Sequence, residues 1–169
     1  MSIAYLNGHW SKPEDAKISV FDRGFMFGDG VYEVMPVYHG HIFTLDQHIA
    51  RLKRSMAEVR IQSPLDASAW KALLEEAVSR GGEQNALIYL QVTRGVAPRS
   101  HAFPDHHESA LVVTARQLRF LQGDGVDVIT IPDIRWKRCD IKSISLLPNV
   151  LGKQQAKDSG AFEAWMVDS

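Results

Sequence analysis

Residues 18–34 read ISVFDRGFMFGDGVYEV, and the way this stretch breaks in two decides the fold. Gly24, Gly28 and Gly30 interrupt its first part, with Asp22 and Asp29 set among aromatic residues. Glycine at that density lets backbone or ligand approach closely. From Val31 the pattern becomes a strand, VYEVMPVY, which Gly40 turns into a return strand, HIFTL. Upstream, Asn7-Gly8 lies between two short apolar segments, and both residues tolerate the positive φ of a hairpin turn. Downstream, Asp46 stands where an N-cap is expected, and Ile49, Leu52, Met56 and Val59 follow at helical spacing. A second helix starts near Ser68, buries Trp70, Leu73, Leu74, Ala77 and Val78, and stops at Gly81-Gly82.

Two apolar strands, ALIYLQVTR (86–94) and SALVVTARQL (109–118), flank the loop GVAPRSHAFPDHHE. That loop is polar, rich in histidine and long for a plain hairpin, which marks it as a place for function. LQGDG (121–125) reads as a hinge. Beyond it come a strand, GVDVITIPD, a mixed segment, RWKRCDIKSIS, a helix, LLPNVLGKQQAKDSG, and a closing strand, AFEAWMV. Pro148 suits the helix's first turn and Gly160 its end. Strand, helix and strand at this spacing suggest a βαβ unit. The expected class is mixed α/β: a small domain over 1–120, a hinge, and the start of a second domain over 126–169. The 48 residues from 122 onward are too few to bury a core of their own, so that second domain is expected to be incomplete.

The 169 residues carry 19 Lys+Arg against 20 Asp+Glu, a net charge of -1, with 45% apolar residues. This is the balance of a folded globular protein, and it gives no electrostatic reason to expect nucleic acid or an anionic membrane as partner. The basic run RWKRCDIK then reads as a solvated turn. No apolar run approaches the roughly 18 residues of a membrane span. MSIAYLNGHW lacks the build of a signal peptide, so a cytoplasmic location is expected. Cys139, the single cysteine, has no partner for a disulfide and is expected as a small buried apolar residue. His101, Asp105, His106 and His107 match no usual zinc spacing, and no metal is expected. Nucleophile-elbow, phosphate-loop and dinucleotide glycine motifs are absent from the sequence.

Lys142 lies between Ile141 and Ile144. A lysine held among apolar groups loses its proton more readily, which suits a Schiff base with a carbonyl cofactor; a snorkelling strand lysine is the plainer alternative. Pro98 and Pro104 bracket Arg99 and His101, whose side chains share a side if the loop is extended. An arginine fork beside an imidazole suits a carboxylate, and a simple polar surface loop is the alternative. Tyr32 offers a phenol at the glycine-rich edge or packs in the core. Arg51 is an anion clamp or an exposed helical arginine.

Taken in order, ISVFDRGFMFGDGVYEV, HIARLKRS, QVTRGVAPRSHAFP and RWKRCDIKSISLLPNVLGKQQAKDSG resemble the fold-type IV pyridoxal-phosphate (PLP) aminotransferases. The resemblance runs from residue 3 to the end. PRSHAFP is similar to the D-amino acid branch, because the branched-chain enzymes and aminodeoxychorismate lyase lack its Arg-x-His loop; FGDGVYE and DIKS mark the superfamily.

The resemblance implies that Lys142 forms the internal aldimine with PLP and shuttles the substrate proton. It implies that Arg51 binds the cofactor phosphate, and that Tyr32, Arg99 and His101 hold the substrate α-carboxylate. The Arg99–His101 loop would reach across a homodimer interface to the partner's site. The implied reaction moves an amino group between a D-amino acid, D-alanine by resemblance, and a 2-oxo acid such as 2-oxoglutarate. Family members continue past the strand matching AFEAWMV into a T-E-G-x-x-S-N-like segment whose glutamate pairs with the pyridine nitrogen. The present chain therefore matches the N-terminal part of such an enzyme. Amine or branched-chain transamination, an aminodeoxychorismate lyase, and an inactive fragment or dimerisation module remain as alternatives.

Overall fold

Asn7 (φ 46°) and Gly8 (φ 99°) both take left-handed backbone, and their two-residue turn joins β1 (Ile3–Leu6) to β2 (His9–Ser11) as expected. The computed structural model describes residues 2–120, 123 and 125–168. The chain divides into two units, Met1–Leu118 with Ile141–Ser145, and Arg119–Asp140 with Leu146–Ser169. Of the residues read as a hinge, Leu121, Gln122 and Asp124 lie outside the described residues.

In the first unit the glycine-rich stretch holds a five-residue helix, α1 (Arg23–Phe27). Asp22 caps it by accepting from the Gly24 amide at 2.8 Å, and Gly28 ends it at φ 68°. Next come β3 (Gly30–Tyr38) and a return strand, β4 (His41–Ile42), that is shorter than HIFTL. The helix α2 (Leu45–Glu58) enters from Thr44, at φ 51°, and not from Asp46. Asp46 sits inside the first turn, where its charge meets the positive end of the helix dipole. The helix α3 (Ala67–Gly81) is capped by Asp66, which accepts from the Ala69 amide at 2.8 Å, and closes at Gly82. It is followed by β5 (Ala86–Thr93) and β6 (Ala110–Gln117).

These strands form one antiparallel sheet in the order β2-β1-β6-β5-β3-β4. The helix α2 packs on β3, and α3 on β1, β5 and β6. Alternation on β3 and β5 sends Val31, Met35, Ile88, Leu90 and Val92 into the core with Leu52, Trp70 and Leu74 of the helices. Each such side chain contributes about 1.5–3 kcal/mol by leaving water.

The second unit contains β7 (Val128–Pro132), α4 (Leu147–Asp158) and β8 (Glu163–Val167). The strands pair in parallel, from Val128↔Glu163 to Pro132↔Val167, so the expected βαβ order is present. A Cβ on Gly152 would lie 2.9 Å from Ile131 Cδ1 and 3.0 Å from Met166 Cε, which is why the helix crosses the strands at a glycine. Among the described residues of this unit, Ile131, Gly152 and Ala156 are buried, while Trp165 is 62% exposed. Cys139 is exposed rather than buried, its Sγ donating to the Trp136 carbonyl at 3.0 Å. The ion pairs Arg135–Asp133 and Arg138–Asp140 on either side hold this turn in water. No helix among the described residues is long and apolar enough to cross a membrane.

Candidate active site

Along one edge β3 pairs with β5 from Gly30 to Val37, but on the other β4 covers it at Val37 and Tyr38 alone. Residues Ile141–Ser145 take the uncovered part. The Tyr32 amide donates to the Lys142 carbonyl at 3.0 Å, and the Ile144 amide to the Gly30 carbonyl at 3.1 Å. A Cβ on Gly30 would stand 2.8 Å from the Val92 carbonyl and 2.9 Å from Ile144 Cδ1, so this edge accepts glycine and little else. The Lys142 amide also donates to Ser55 Oγ, on α2, at 3.2 Å. With its backbone held on both sides, Lys142 carries its Nζ to 4.1 Å from the centroid of the Tyr32 ring. That ring also stacks beside Tyr89, at 5.8 Å between centroids. Burial, then the nearby Tyr32, pushes the Tyr89 phenol up, and it donates to Gln91 Oε1 at 2.6 Å.

Position 33 falls in the inward phase of β3, between Val31 and Met35, yet it holds a fully buried glutamate. Helix α2 meets that charge with residues on one face. Arg51 donates Nε to Glu33 Oε1 at 2.7 Å and Nη2 to Oε2 at 2.6 Å, and His48 Nδ1 lies 2.8 Å from Oε2. The hydrogen bond to Glu33 raises the Arg51 guanidinium above its usual pKa, against a smaller opposing effect of burial. The arginine side chain is still 45% exposed, and Glu33 engages its Nε and Nη2 but not its Nη1.

Arg99 and His101 gather at a second place. Their side chains lie 5.5 Å and 5.4 Å from the Phe27 ring of α1, both exposed. The loop beneath them is not extended. Arg23 donates to three successive carbonyls, Ser100 (2.5 Å), His101 (3.3 Å) and Ala102 (3.3 Å). Successive carbonyls of an extended chain point to opposite sides, so the backbone here is curled around one guanidinium. Asp29 aims that guanidinium, accepting from Arg23 Nε at 2.7 Å and from Arg94 Nε and Nη2 at 2.8 and 2.9 Å. Burial would push the Asp29 carboxyl up, but hydrogen bonds from Arg94 and Arg23 outweigh it and leave it below the usual range. Arg94 also binds the Val59 and Arg60 carbonyls at the end of α2 and lies 3.7 Å over the Phe103 ring.

Residues 30–169 match the family described as amino-transferase class IV. The chain belongs to that family. It is 42% identical to the D-alanine aminotransferase of Bacillus licheniformis over 164 residues, covering 95% of this chain and 58% of that protein. The enzyme of the same name from Listeria monocytogenes serotype 4b is 44% identical, over 94% of this chain and 57% of its own length. Among solved structures, the Escherichia coli branched-chain amino acid aminotransferase superposes with a TM-score of 0.86 at 18% identity, covering 98% of this chain and 59% of that one. A branched-chain aminotransferase from Thermoproteus uzoniensis gives 0.85 at 21% identity, over 99% of this chain and 60% of that one. At such identity the superpositions speak for the fold, which is that of the fold-type IV enzymes. The chain spans under two thirds of the length of these relatives.

Class IV aminotransferases depend on PLP. PLP asks for an amine at its aldehyde, a cation at its phosphate and a partner at its ring nitrogen. The first two fit: Lys142 lies on the β3 edge with Tyr32 beside its amine, and Arg51 stands on α2, the helix whose Ser55 holds the Lys142 amide. Among the described residues no cluster of His, Cys, Asp or Glu suits a metal. Glu33, His48, Ser55, Arg23, Asp29 and Arg94 carry no role in the sequence reading. The signals for two of them were present: a glutamate in the inward phase of a strand, and an arginine ending the buried strand 86–94.

Proposed function

We propose that this protein is a PLP-dependent transaminase that moves an amino group between a D-amino acid, D-alanine first, and a 2-oxo acid, 2-oxoglutarate first. The observation that carries this reading is Lys142, fixed by backbone hydrogen bonds at the β3 edge, with Tyr32 under its amine and Arg51 on the neighbouring helix. The identity of more than 40% to D-alanine aminotransferases supports the choice of substrate.

Lys142 would hold the cofactor at its aldehyde and Arg51 at its phosphate. Bound PLP supplies an electron sink for the pair left at the substrate Cα. The Lys142 amine is the base that carries the Cα proton, and its short tether to the sheet keeps that transfer on one face. Arg99, His101 and the Tyr32 phenol bind the substrate α-carboxylate, Arg99 through its two-pronged fork. The two clusters belong to one site in a homodimer, the Arg99–His101 loop serving the partner's lysine, and such a protein works in the cytoplasm on small molecules. The 1–120 and 126–169 segments are its small domain and the start of its cofactor domain.

The test is a visible spectrum with PLP, read beside turnover of D-alanine with 2-oxoglutarate. A yellow band and turnover that both vanish in Lys142→Ala support the reading. A protein that takes up no PLP overturns it and favours the inactive fragment. Arg99→Ala should weaken D-alanine turnover far more than PLP uptake, and unchanged turnover would sink the carboxylate assignment.

A further inference from the structure

The loop that bears Arg99 and His101 is anchored by charge where apolar contacts would have sufficed. Arg23 and Arg94 are 4% and 1% exposed, and the Asp29 carboxylate between them 13%. Taking three charges out of water for packing alone is poor economy, because well-packed apolar side chains of the same volume do as well or better. What the charges add is direction. The guanidinium of Arg23 is planar, its Nε is spent on Asp29, and its two remaining nitrogens meet the carbonyls of Ser100, His101 and Ala102. The same side chain lies 5.0 Å from the Phe27 ring that Arg99 and His101 also approach. On the far side of the loop, Phe103 is held between Arg94 and Arg60, at 3.7 and 4.7 Å.

We propose that Arg23, aimed by Asp29, is a positioning residue: it curls residues 100–102 around its guanidinium and so sets Arg99 and His101 at the angle that receives a substrate carboxylate. The proposal rests on the carboxylate role given to those two side chains above. Arg23 itself touches no substrate. Its removal leaves Asp29 paired with Arg94, which is bidentate, so the fold survives the change. Asp29→Asn is the poorer probe because it strands the buried Arg94.

Arg23→Gln and Arg23→Lys in the full protein test this through three readings. Amide exchange of the 99–103 segment should quicken roughly 10-fold in Arg23→Gln, as local opening becomes easier. KM for both D-alanine and 2-oxoglutarate should rise roughly 10- to 100-fold with kcat within about 3-fold, the usual cost of a carboxylate site moved by an ångström. The PLP band should stay, and Arg23→Lys, with a charge but no fork, should fall between. Unchanged exchange overturns the proposal, and so does faster exchange with an unchanged KM. Loss of PLP or of kcat at constant KM overturns it as well. If the wild-type protein turns over no D-alanine, the functional reading has failed instead, and the exchange of 99–103 alone decides the clamp.

Discussion

Asp29 and Glu33 lie four residues apart around Gly30, each is gripped by arginine in a fork, and they differ in which partner meets water. Glu33 is sealed in the core while Arg51 remains 45% exposed, so that pair presents a fixed cation at the surface. Asp29 holds two arginines that are themselves buried and give their other donors to backbone carbonyls. The first arrangement turns a cation towards water, and the second shapes a chain. One chemistry serves both because a buried carboxylate fixes an arginine's plane, and the surroundings decide what the remaining nitrogens meet.

Asp29→Asn should break that contrast most visibly. It leaves Arg94 charged and buried, at a cost of about 3–5 kcal/mol in urea unfolding at neutral pH. A loss under about 1 kcal/mol would mean that the Val59 and Arg60 carbonyls hold Arg94 unaided. Because the Asp29 carboxyl is held below its ordinary 3.8, its contribution is complete above that value and disappears as pH falls through the lower folded value. The gap between wild type and Asp29→Asn should therefore close in acid. Arg51→Ala comes next, with a loss of roughly 3 kcal/mol because Glu33 keeps His48 alone as partner. Adding Glu33→Gln should restore most of the stability and none of the PLP uptake, which separates the structural half of the pair from the binding half. A double variant that regains PLP would remove Arg51 from the phosphate site. Tyr32→Phe is smaller: it keeps the ring beneath Lys142 and loses one hydroxyl, so KM for D-alanine should rise about 5-fold with the PLP band intact.

The strands and long helices were legible because alternation and three-to-four spacing survive in local sequence. The helix α1 was not, since five residues contain no period to detect. Thr44 as the start of α2 left no compositional trace, because a single left-handed residue is a tertiary outcome. Lys142, Tyr32 and Arg51 could each be picked out by their neighbours. The meeting of Lys142 with Tyr32 could not: it depends on residues 141–145 taking a strand edge that β4 leaves open, more than a hundred residues earlier in the chain. The Asp29–Arg94 pair spans 65 positions, and although Arg94 ends a buried strand, nothing local names Asp29 as its partner. Charges buried by distant partners look like solvated charges until the sheet is assembled.

The second unit has arginine forks of its own, at Asp133 and Asp140, and the one at Asp133 should matter less than either fork of the first unit. Asp133 takes Arg135 Nη2 at 2.6 Å and Nε at 3.0 Å, two residues away on the same surface turn. The hydrogen bonds from Arg135 hold its carboxyl down at about 2 from the usual 3.8. By linkage the pair contributes above 3.8 and is lost as pH falls through about 2. The pair lies on a surface turn, however, with Arg135 36% exposed, so water and salt screen it far more than the buried arginines of Asp29. Asp133→Asn should leave the unfolding midpoint of the whole protein where it was at physiological salt, and any shift seen at low salt should fade as salt is added. A loss that persists in salt and approaches that of Asp29→Asn would show that the fork itself stabilises. The distinction between these pairs would then lie in geometry and not in what surrounds each arginine.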